Sequence, residues 1–290
     1  MELMLDCTLM NNHISKCCIV IPIYKNIISE MERISLLQCA TILHDYHFYF
    51  VTFKTLDISV YADICNQFKI NYSVEVFPKY YFNNIYGYNA LCVSKNFYKT
   101  FLEYEYILLY QLDAYVFRNE LEYWCGKNYD YIGAPHVQIE KHGIKAKPLH
   151  PIMNGGFSLR KIQAFLSNCN LLIKKEFALF ILKSFFYNLY TFFNRYKILF
   201  LFSFFSKGVI YLLNRLSFRY LNCEQNEDII WSMLLVKNNN LPEYNESSLF
   251  SISSYTKYFL DLNNNKLPFG CHSWDNYYDY IFWKEYIPIK

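Results

Sequence analysis

The stretch CCIVIPIYK, residues 17–25, decides the fold class. Its first eight residues are continuously apolar and rich in β-branched side chains, which is typical of a strand buried on both faces of a parallel sheet. Three further strands are predicted at residues 48–53, 72–77 and 106–111. Helices are predicted between them at residues 29–43, 58–68 and 87–102. This alternation predicts an α/β fold with a Rossmann-like, mostly parallel sheet flanked by helices.

The second half of the chain is less regular. We predict a short helical turn at residues 121–124, a short strand with a turn at 129–135, and a polar loop with three histidines at 136–151. A glycine turn leading into a strand is predicted at residues 154–161, and two helices are predicted at 162–167 and 226–235. The sequence contains neither an internal repeat nor a low-complexity linker. We therefore predict a single domain over residues 1–290, with an insertion at residues 170–223.

The predicted insertion is basic and aromatic. Residues 171–223 hold eight lysines and arginines against one acid, Glu176, which leaves the rest of the chain with a net charge of −4. Placed on a helix, the polar residues fall on one side, so the pattern predicts an amphipathic helical hairpin. Its charge-free stretches are far shorter than the ~20 residues that span a bilayer. Two interpretations stay open: the hairpin packs on its own domain or a second subunit, or it lies on a membrane surface.

The composition excludes several classes of protein. With 53% hydrophobic and 18% charged residues, the chain is a packed globule and not a disordered polymer. A net charge of +3 is too small for a nucleic-acid binder. The ten cysteines include no Cys-x-x-Cys pair, and the sequence does not start with a secretory pattern. We therefore expect buried free thiols in a reducing cytoplasm and no structural zinc site.

Asp113 is the first candidate for chemistry. It lies in QLDAYVF, just beyond the strand predicted at residues 106–111, and ligands of α/β sheets bind beyond the carboxyl ends of the strands. A buried carboxylate needs a cation or hydrogen-bond donors, and a hard divalent metal that bridges a diphosphate would satisfy it. The alternative is an aspartate that caps the turn that follows.

Three further motifs suit a sugar or phosphate site. In NGGFSLR, Gly155 and Gly156 let backbone amides approach a ligand closely, although a tight turn explains them equally well. The first turn of NEDIIWSMLL holds Glu227 and Asp228, which serve either as helix caps or as a general base for a hydroxyl. His272, in FGCHSWD, is either a structural residue or a ligand.

In this order, the motifs resemble those of the GT-A class of nucleotide-sugar glycosyltransferases. The closer resemblance is to a little-characterised bacterial family of glycosyltransferase-like proteins, through IVIPIYK, YILLYQLDAYVF, YDYIGAP, NGGFSLRK, NEDIIW and FGCHSW. It covers residues 17–161 and 224–274, and the insertion lies outside it. The resemblance implies a GT-A-like sheet with the helical hairpin inserted into it.

The resemblance also implies a role for each motif residue. Asp113 would be the surviving acid of the Asp-x-Asp motif that holds Mn²⁺ or Mg²⁺ and the diphosphate, and His272 would complete the metal shell. Asp228 would deprotonate the acceptor hydroxyl, with Glu227 orienting the sugar or the acceptor. Tyr115 stands where the motif has its second acid, which weakens the implied metal site. The implied donor-binding residues are Pro22, Ile23, Tyr24, Gln111, Asp113, Asn154, Gly155 and Gly156.

The activity that the resemblance implies is an inverting transfer of a sugar from a nucleotide donor, with UDP-sugars favoured, to a hydroxyl of a glycan or lipid-linked acceptor. If residues 170–223 contact lipid, this insertion and the resemblance together imply surface polysaccharide or lipopolysaccharide assembly as the setting, on the cytoplasmic side or the inner face of the cytoplasmic membrane. Two alternatives stay open. One is a catalytically silent relative that binds a nucleotide or a glycan, and the other is a membrane-peripheral interaction protein that works through residues 170–223.

Overall fold

A computed structural model describes residues 16–139, 146–169, 226–236 and 239–288. The first half of the chain alternates strands and helices as predicted. Its strands are β1 (Cys17–Pro22), β2 (Phe48–Thr52), β3 (Tyr72–Val76) and β4 (Tyr106–Tyr110). Its α-helices are α1 (Glu30–Ile42), α2 (Ser59–Gln67), α3 (Ile85–Cys92) and α4 (Lys95–Lys99). A short 3-10 helix, Lys79–Phe82, precedes α3.

The single helix predicted at residues 87–102 is wrong. Two helices, α3 and α4, lie in this stretch, and the chain breaks between them at Val93 and Ser94. The Ser94 hydroxyl accepts the Phe97 amide at 3.2 Å and so caps the start of α4. A serine side chain that bonds to the backbone in this way starts a new helix instead of continuing the previous one.

The second half of the chain adds a long hairpin and short peripheral elements. The strands are β5 (Ala114–Val116), β6 (Tyr131–Ile139), β7 (Ala146–Lys161), β8 (Ser251–Ile252) and β9 (Gly270–His272). The helices are α5 (Leu121–Gly126), α6 (residues 162–169), α7 (Glu227–Leu235), α8 (Tyr244–Phe250), α9 (Thr256–Leu262) and α10 (Tyr277–Trp283).

The polar loop predicted at residues 136–151 is wrong over most of its length. β6 continues to Ile139 and β7 starts at Ala146, so this stretch forms the outer part of a hairpin. β6 is an edge strand, and the outer part of β7 pairs only with β6 among the described strands. Edge positions tolerate proline and polar residues, which removed the strand signal from the sequence.

The central sheet has the strand order β3-β2-β1-β4-β7-β6. The pairs from β3 to β4 are parallel, whereas β7 is antiparallel to both β4 and β6. Helices α1, α2 and α5 pack on one face, and α3, α4, α6 and α7 pack on the other. The predicted fold class, a mostly parallel α/β sheet flanked by helices, is confirmed. A smaller sheet of order β5-β9-β8 lies beside it.

The parallel pairing of β1 with β4 positions the candidate site. Residues 23–25 and 111–113 follow these two strands and therefore lie at the same edge of the sheet. In the smaller sheet, β9 runs antiparallel to β5 and pairs His272 with Ala114. The topology thus brings the C-terminal histidine next to Asp113. All eight described cysteines are buried, as predicted.

The chain on both sides of residues 170–225 is attached to α3 or its end. The Cys169 thiol donates to the carbonyl of Val93 at 3.5 Å, and the Glu227 amide donates to Asn89 Oδ1 at 3.2 Å. The predicted insertion, its hairpin and its membrane contact lie outside the described residues. Among the helices that are described, none combines the length and the apolar character needed to cross a membrane.

Candidate active site

A cleft of about 460 Å³ opens beyond the carboxyl ends of β1 and β4. The segment between β3 and α3 contributes Tyr81, Phe82, Asn83 and Asn84 to its lining, and α3 adds its first residue, Ile85. Five of the predicted donor-binding residues also line it, namely Pro22, Ile23, Tyr24, Gln111 and Asp113. The other three, Asn154, Gly155 and Gly156, do not belong to its lining and lie instead around His272 and the acid pair.

The lining of the cleft includes one cation within the described residues, Lys25. Its Nζ lies 2.7 Å from Glu32 Oε2, and Glu32 also accepts the backbone amide of Ser29 at the start of α1. Burial acts to raise the pKa of Glu32, but Lys25 and the Ser29 donors together lower it below its ordinary value. Because Lys25 is already paired, an anionic ligand in this cleft needs a further source of positive charge.

Asp113 and His272 come together at the inner end of the site. Asp113 Oδ1 lies 3.1 Å from His272 Nε2, and the same nitrogen lies 2.9 Å from Gln111 Oε1. The other ring nitrogen, Nδ1, lies 3.1 Å from the Ser273 hydroxyl. Burial acts to raise the pKa of Asp113, but His272 and nearby donors lower it below its ordinary value. Asp113 is therefore a carboxylate at neutral pH.

The spacing of these donor atoms suits a divalent cation. Neighbouring ligands of an octahedral cation lie about 3 Å apart when each metal–oxygen distance is about 2.1 Å. The contacts of His272 Nε2 with Asp113 and Gln111 measure 3.1 and 2.9 Å. In the described ranges, however, no three His, Cys, Asp or Glu side chains form a group that could hold a metal ion. A divalent cation at this position would therefore have to take most of its ligands from a bound anion and from water.

Tyr115, which stands where the motif implied by the resemblance has its second acid, belongs to the hydrophobic core. It is 4% exposed, and its ring lies 6.1 Å from that of Trp274 in the cluster formed by the C-terminal helices. Burial raises the pKa of Tyr115 to about 12. This side chain is neutral and enclosed, so it is not a candidate metal ligand.

Gly155 and Gly156 lie in an enlarged β-bulge of β7. At this point one residue of β6, Gly133, stands opposite four residues of β7, 155–158. A Cβ on Gly133 would lie 2.1 Å from the carbonyl oxygen of Asn154, so the glycine of YDYIGAP leaves room for the bulge. The tight turn expected from NGGFSLR is thus a bulge inside a strand.

The bulge packs directly against the acid pair and His272. A Cβ on Gly155 would lie 2.4 Å from Glu227 Oε1, and one on Gly156 would lie 2.0 Å from His272 Nε2. The Gly155 amide donates to Asp228 Oδ2 at 3.2 Å. Only glycine allows the backbone to pass between these side chains, because any Cβ would displace one of them.

Gly156→Ala is expected to lower the free energy of unfolding by about 1–3 kcal/mol, the usual cost of overpacking a buried position. The added methyl group must push His272 away from Gln111 and Asp113. Gly126→Ala is the matched control, because a Cβ there meets no atom within 4 Å and the residue is the last of α5. Urea unfolding of both variants measures the difference, and equal stabilities would contradict the packing described here.

Glu227 is bound on both oxygens by Arg160. The two contacts measure 2.7 Å (Nη2 to Oε1) and 3.1 Å (Nη1 to Oε2), and both side chains are buried. Burial raises the pKa of Glu227, while the Arg160 guanidinium opposes that shift. Both oxygens of Glu227 thus face Arg160, and the predicted contact of Glu227 with a sugar or acceptor stays a prediction. Sequence reasoning missed Arg160, although it stands in the NGGFSLRK motif.

Asp228 is the acid of the pair that forms no ion pair with any described residue. Its Oδ2 accepts the Gly155 amide at 3.2 Å, and its Oδ1 accepts the Ile229 amide at 2.7 Å. It is 6% exposed and lies in the first turn of α7, where the helix dipole favours a negative charge. These contacts satisfy both oxygens of the carboxylate without a counter-ion, so Asp228 is not held in an ion pair by any described residue.

His136 is a second residue that sequence reasoning missed. It lies on β6, and its Nε2 is buried without a hydrogen-bond partner in the described part of the chain. Burial lowers the pKa of His136, the charge of Asp228 raises it and that of His272 lowers it further. The imidazole therefore belongs to the same electrostatic neighbourhood as the acid pair. The prediction of a loop at this position concealed it.

Comparison with solved structures finds glycosyltransferases at low sequence identity. Core-mannan synthase A of Aspergillus fumigatus, in its Mn/GDP form, is 10% identical with a TM-score of 0.43, over 80% of this chain and 72% of that one. GlyE of Streptococcus pneumoniae is 11% identical with a TM-score of 0.49, over 95% and 61%. The bifunctional glycosyltransferase WbbM is 11% identical with a TM-score of 0.45, over 94% and 46%. The chain thus spans less than two thirds of GlyE and WbbM.

A sequence family model matches residues 71–272, and no curated protein matches the chain. The matched stretch contains Asp113, Arg160, both acids of α7 and His272, but not β1. It also covers more than half of the chain. The protein therefore belongs to the family described as "Protein of unknown function (DUF5672)".

Proposed function

We propose that this protein is a glycosyltransferase that takes a sugar from a nucleotide donor and transfers it to a hydroxyl of a glycan or lipid-linked acceptor. The proposal is supported by two chemically different sets of side chains that lie next to each other in one site. A carboxylate and a histidine, Asp113 and His272, lie beside the cleft at the strand ends. A carboxylate without a counter-ion among the described residues, Asp228, lies behind the glycines that touch His272.

The donor is assigned to the cleft. Its volume of about 460 Å³ lies in the range typical of sites for small molecules and cofactors, and its aromatic lining offers faces for a nucleobase. The diphosphate is assigned to the Asp113 end, where Asp113, Gln111 and His272 would be the side chains that hold a cation. A cation there would offset the charge that develops on the departing diphosphate. UDP-sugars are the donors favoured by the resemblance of the motifs.

Asp228 is assigned as the general base. Its carboxylate takes the proton of the acceptor hydroxyl while that oxygen forms a bond to the anomeric carbon, and the bond from this carbon to the diphosphate oxygen breaks. Direct attack of this kind inverts the anomeric centre. Glu227 is assigned an indirect role, because both of its oxygens are held by Arg160.

The setting that we propose is the cytoplasmic side of a membrane, in surface polysaccharide or lipopolysaccharide assembly. The eight described cysteines form no disulfide with one another, which suits a reducing compartment. The acceptor class and the contact of residues 170–223 with the inner membrane face rest on the sequence motifs and on the basic, aromatic composition of that stretch.

A thermal-shift panel with UDP, GDP, CMP and dTDP, each with Mn²⁺, Mg²⁺ or EDTA, tests the donor site. A ligand at 100 times its dissociation constant stabilises a protein by about 2.7 kcal/mol, so one nucleotide is expected to raise Tm clearly in the presence of a metal ion. Asp113→Ala is expected to abolish that shift. Asp63→Ala, which removes an exposed aspartate of α2, is expected to retain it.

A wild-type protein that no nucleotide stabilises at any metal concentration would contradict the proposal. Liposome binding that disappears when residues 170–219 are deleted would then favour a membrane-peripheral interaction protein. Stabilisation by a nucleotide without turnover of any donor would favour a catalytically silent relative.

A further inference from the structure

We propose that Arg160 is a positioning residue that holds the Gly155–Gly156 bulge and Asp228 in their working geometry, with Glu227 as its counter-ion. This inference rests on the proposed function and assigns to it a residue that does not touch the substrate. Arg160 is fully buried in β7, so it acts only through the groups that it binds.

Every N–H group of the Arg160 guanidinium has an acceptor. Nε donates to the Ser158 hydroxyl at 3.0 Å, and Nη1 donates to the Tyr98 hydroxyl at 3.0 Å. The remaining bonds go to the two oxygens of Glu227 and to the carbonyl of Gly155 at 3.2 Å. The planar fork offers five donors in fixed directions, so these acceptors are fixed relative to one another.

These bonds close a ring around Gly155. Its carbonyl accepts from Arg160 and from the Ser158 hydroxyl, the latter at 2.7 Å, while its amide donates to Asp228. Asp228 follows Glu227 in the first turn of α7, and Glu227 binds Arg160 again. The peptide units of the bulge are therefore held from both sides, and the carboxylate of Asp228 is held with them.

Stability alone does not account for this ion pair. Burying two charges costs free energy that their attraction only partly recovers, and well-packed apolar residues often replace such a pair without loss. The aromatic rings of Tyr131 and Phe165 lie 5.8 and 5.5 Å from the guanidinium carbon and already form an apolar wall. An apolar pair cannot reproduce the bond from Arg160 to the carbonyl of Gly155, nor the link from that bond through Glu227 to α7.

The double variant Arg160→Met/Glu227→Leu separates positioning from stability. It replaces the ion pair with apolar side chains of similar size, so its Tm is expected to stay within a few degrees of wild type. Its kcat for hydrolysis of the donor identified by the thermal-shift panel is expected to fall at least 100-fold, with KM for that donor within threefold. The matched control is Lys127→Met/Glu246→Leu, which removes an ion pair on α8 and the end of α5, away from the site.

A second readout does not depend on activity. The chain has eight glycines, so protein labelled with ¹⁵N-glycine gives a simple amide spectrum. Hydrogen exchange of the Gly155 amide is expected to be slow in wild type and in the control, and at least tenfold faster in the double variant. Gly155 exchange that stays slow in the double variant, or a kcat within threefold of wild type, would overturn the inference. If the Gly155 amide exchanges faster in the double variant but wild type turns over no donor, the inference about geometry is supported and the proposed function is overturned.

Discussion

Arg160→Met is expected to lower the free energy of unfolding by about 3–5 kcal/mol, because it leaves the Glu227 carboxylate buried without its partner. The substitution also removes donors from Tyr98, Ser158 and the carbonyl of Gly155. Urea unfolding at neutral pH, followed by tryptophan fluorescence, measures the loss. Trp231 reports on it directly, since its ring packs on those of Tyr98 and Phe165 near the ion pair.

The control for this prediction is Lys127→Met, which removes the cation from a partly exposed ion pair with Glu246. Water solvates the remaining carboxylate there, so only a small change is expected. Adding Glu227→Leu to Arg160→Met is expected to recover most of the lost stability, because no unpaired charge then remains. A single variant as stable as wild type would mean that Glu227 is neutral or solvated, contrary to the structure.

Asp228→Asn is expected to reduce turnover of a nucleotide-sugar donor by about 10²–10⁴-fold, the usual contribution of a general base. The amide retains an oxygen for the Gly155 or Ile229 amide but takes no proton. Asp228 does not line the cleft, so nucleotide binding is expected to be unchanged. The measurement is release of nucleoside diphosphate from UDP-glucose, UDP-N-acetylglucosamine and GDP-mannose, with kcat and KM determined separately.

Asp279→Asn provides the matched control for this substitution. Asp279 is also 6% exposed, lies in the first turn of a helix, α10, and accepts bonds from Thr256. Any general effect of placing asparagine at a buried helix start should therefore appear in both variants. If Asp228→Asn keeps the wild-type kcat, Asp228 is a helix cap and not the base, and the assignment of an inverting mechanism fails with it.

The sheet could be predicted because its strands carry their signal locally. The runs that form β1, β2 and β4 are buried on both faces and are almost wholly apolar, whereas the edge strand β3 is only partly buried and alternates apolar and polar residues. The ends of all four strands agree with the prediction to within two residues. The β6–β7 hairpin lacks this signal because its outer part lies at an edge. The break at Ser94 was visible as a capping residue, but the apolar pattern on both sides of it suggested one helix.

The candidate site was only partly predictable because its contacts join distant parts of the chain. Asp113 could be identified from its place after a buried strand, yet its contact with His272 depends on β9 returning beside β5. Arg160 could not be identified, since an arginine in a strand usually points to solvent. Its acceptor, Glu227, lies 67 positions later. The two glycines were identified from the sequence. They must be glycines because the side chains of Glu227 and His272 lie against them, and no local sequence pattern predicts those contacts.

The attachment of both flanks of residues 170–225 near the end of α3 makes this stretch accessible to protein engineering. Asn89 and Val93 are separated by about 6 Å along the helix axis, a distance that two or three extended residues cover. A linker of six to eight glycines and serines could therefore replace all 56 residues while leaving both attachment points in place. Sugar transfer could then be measured in the shortened chain, without residues 170–225. Lipid binding could be compared between the shortened chain and the full chain, which would assign any lipid affinity to that segment.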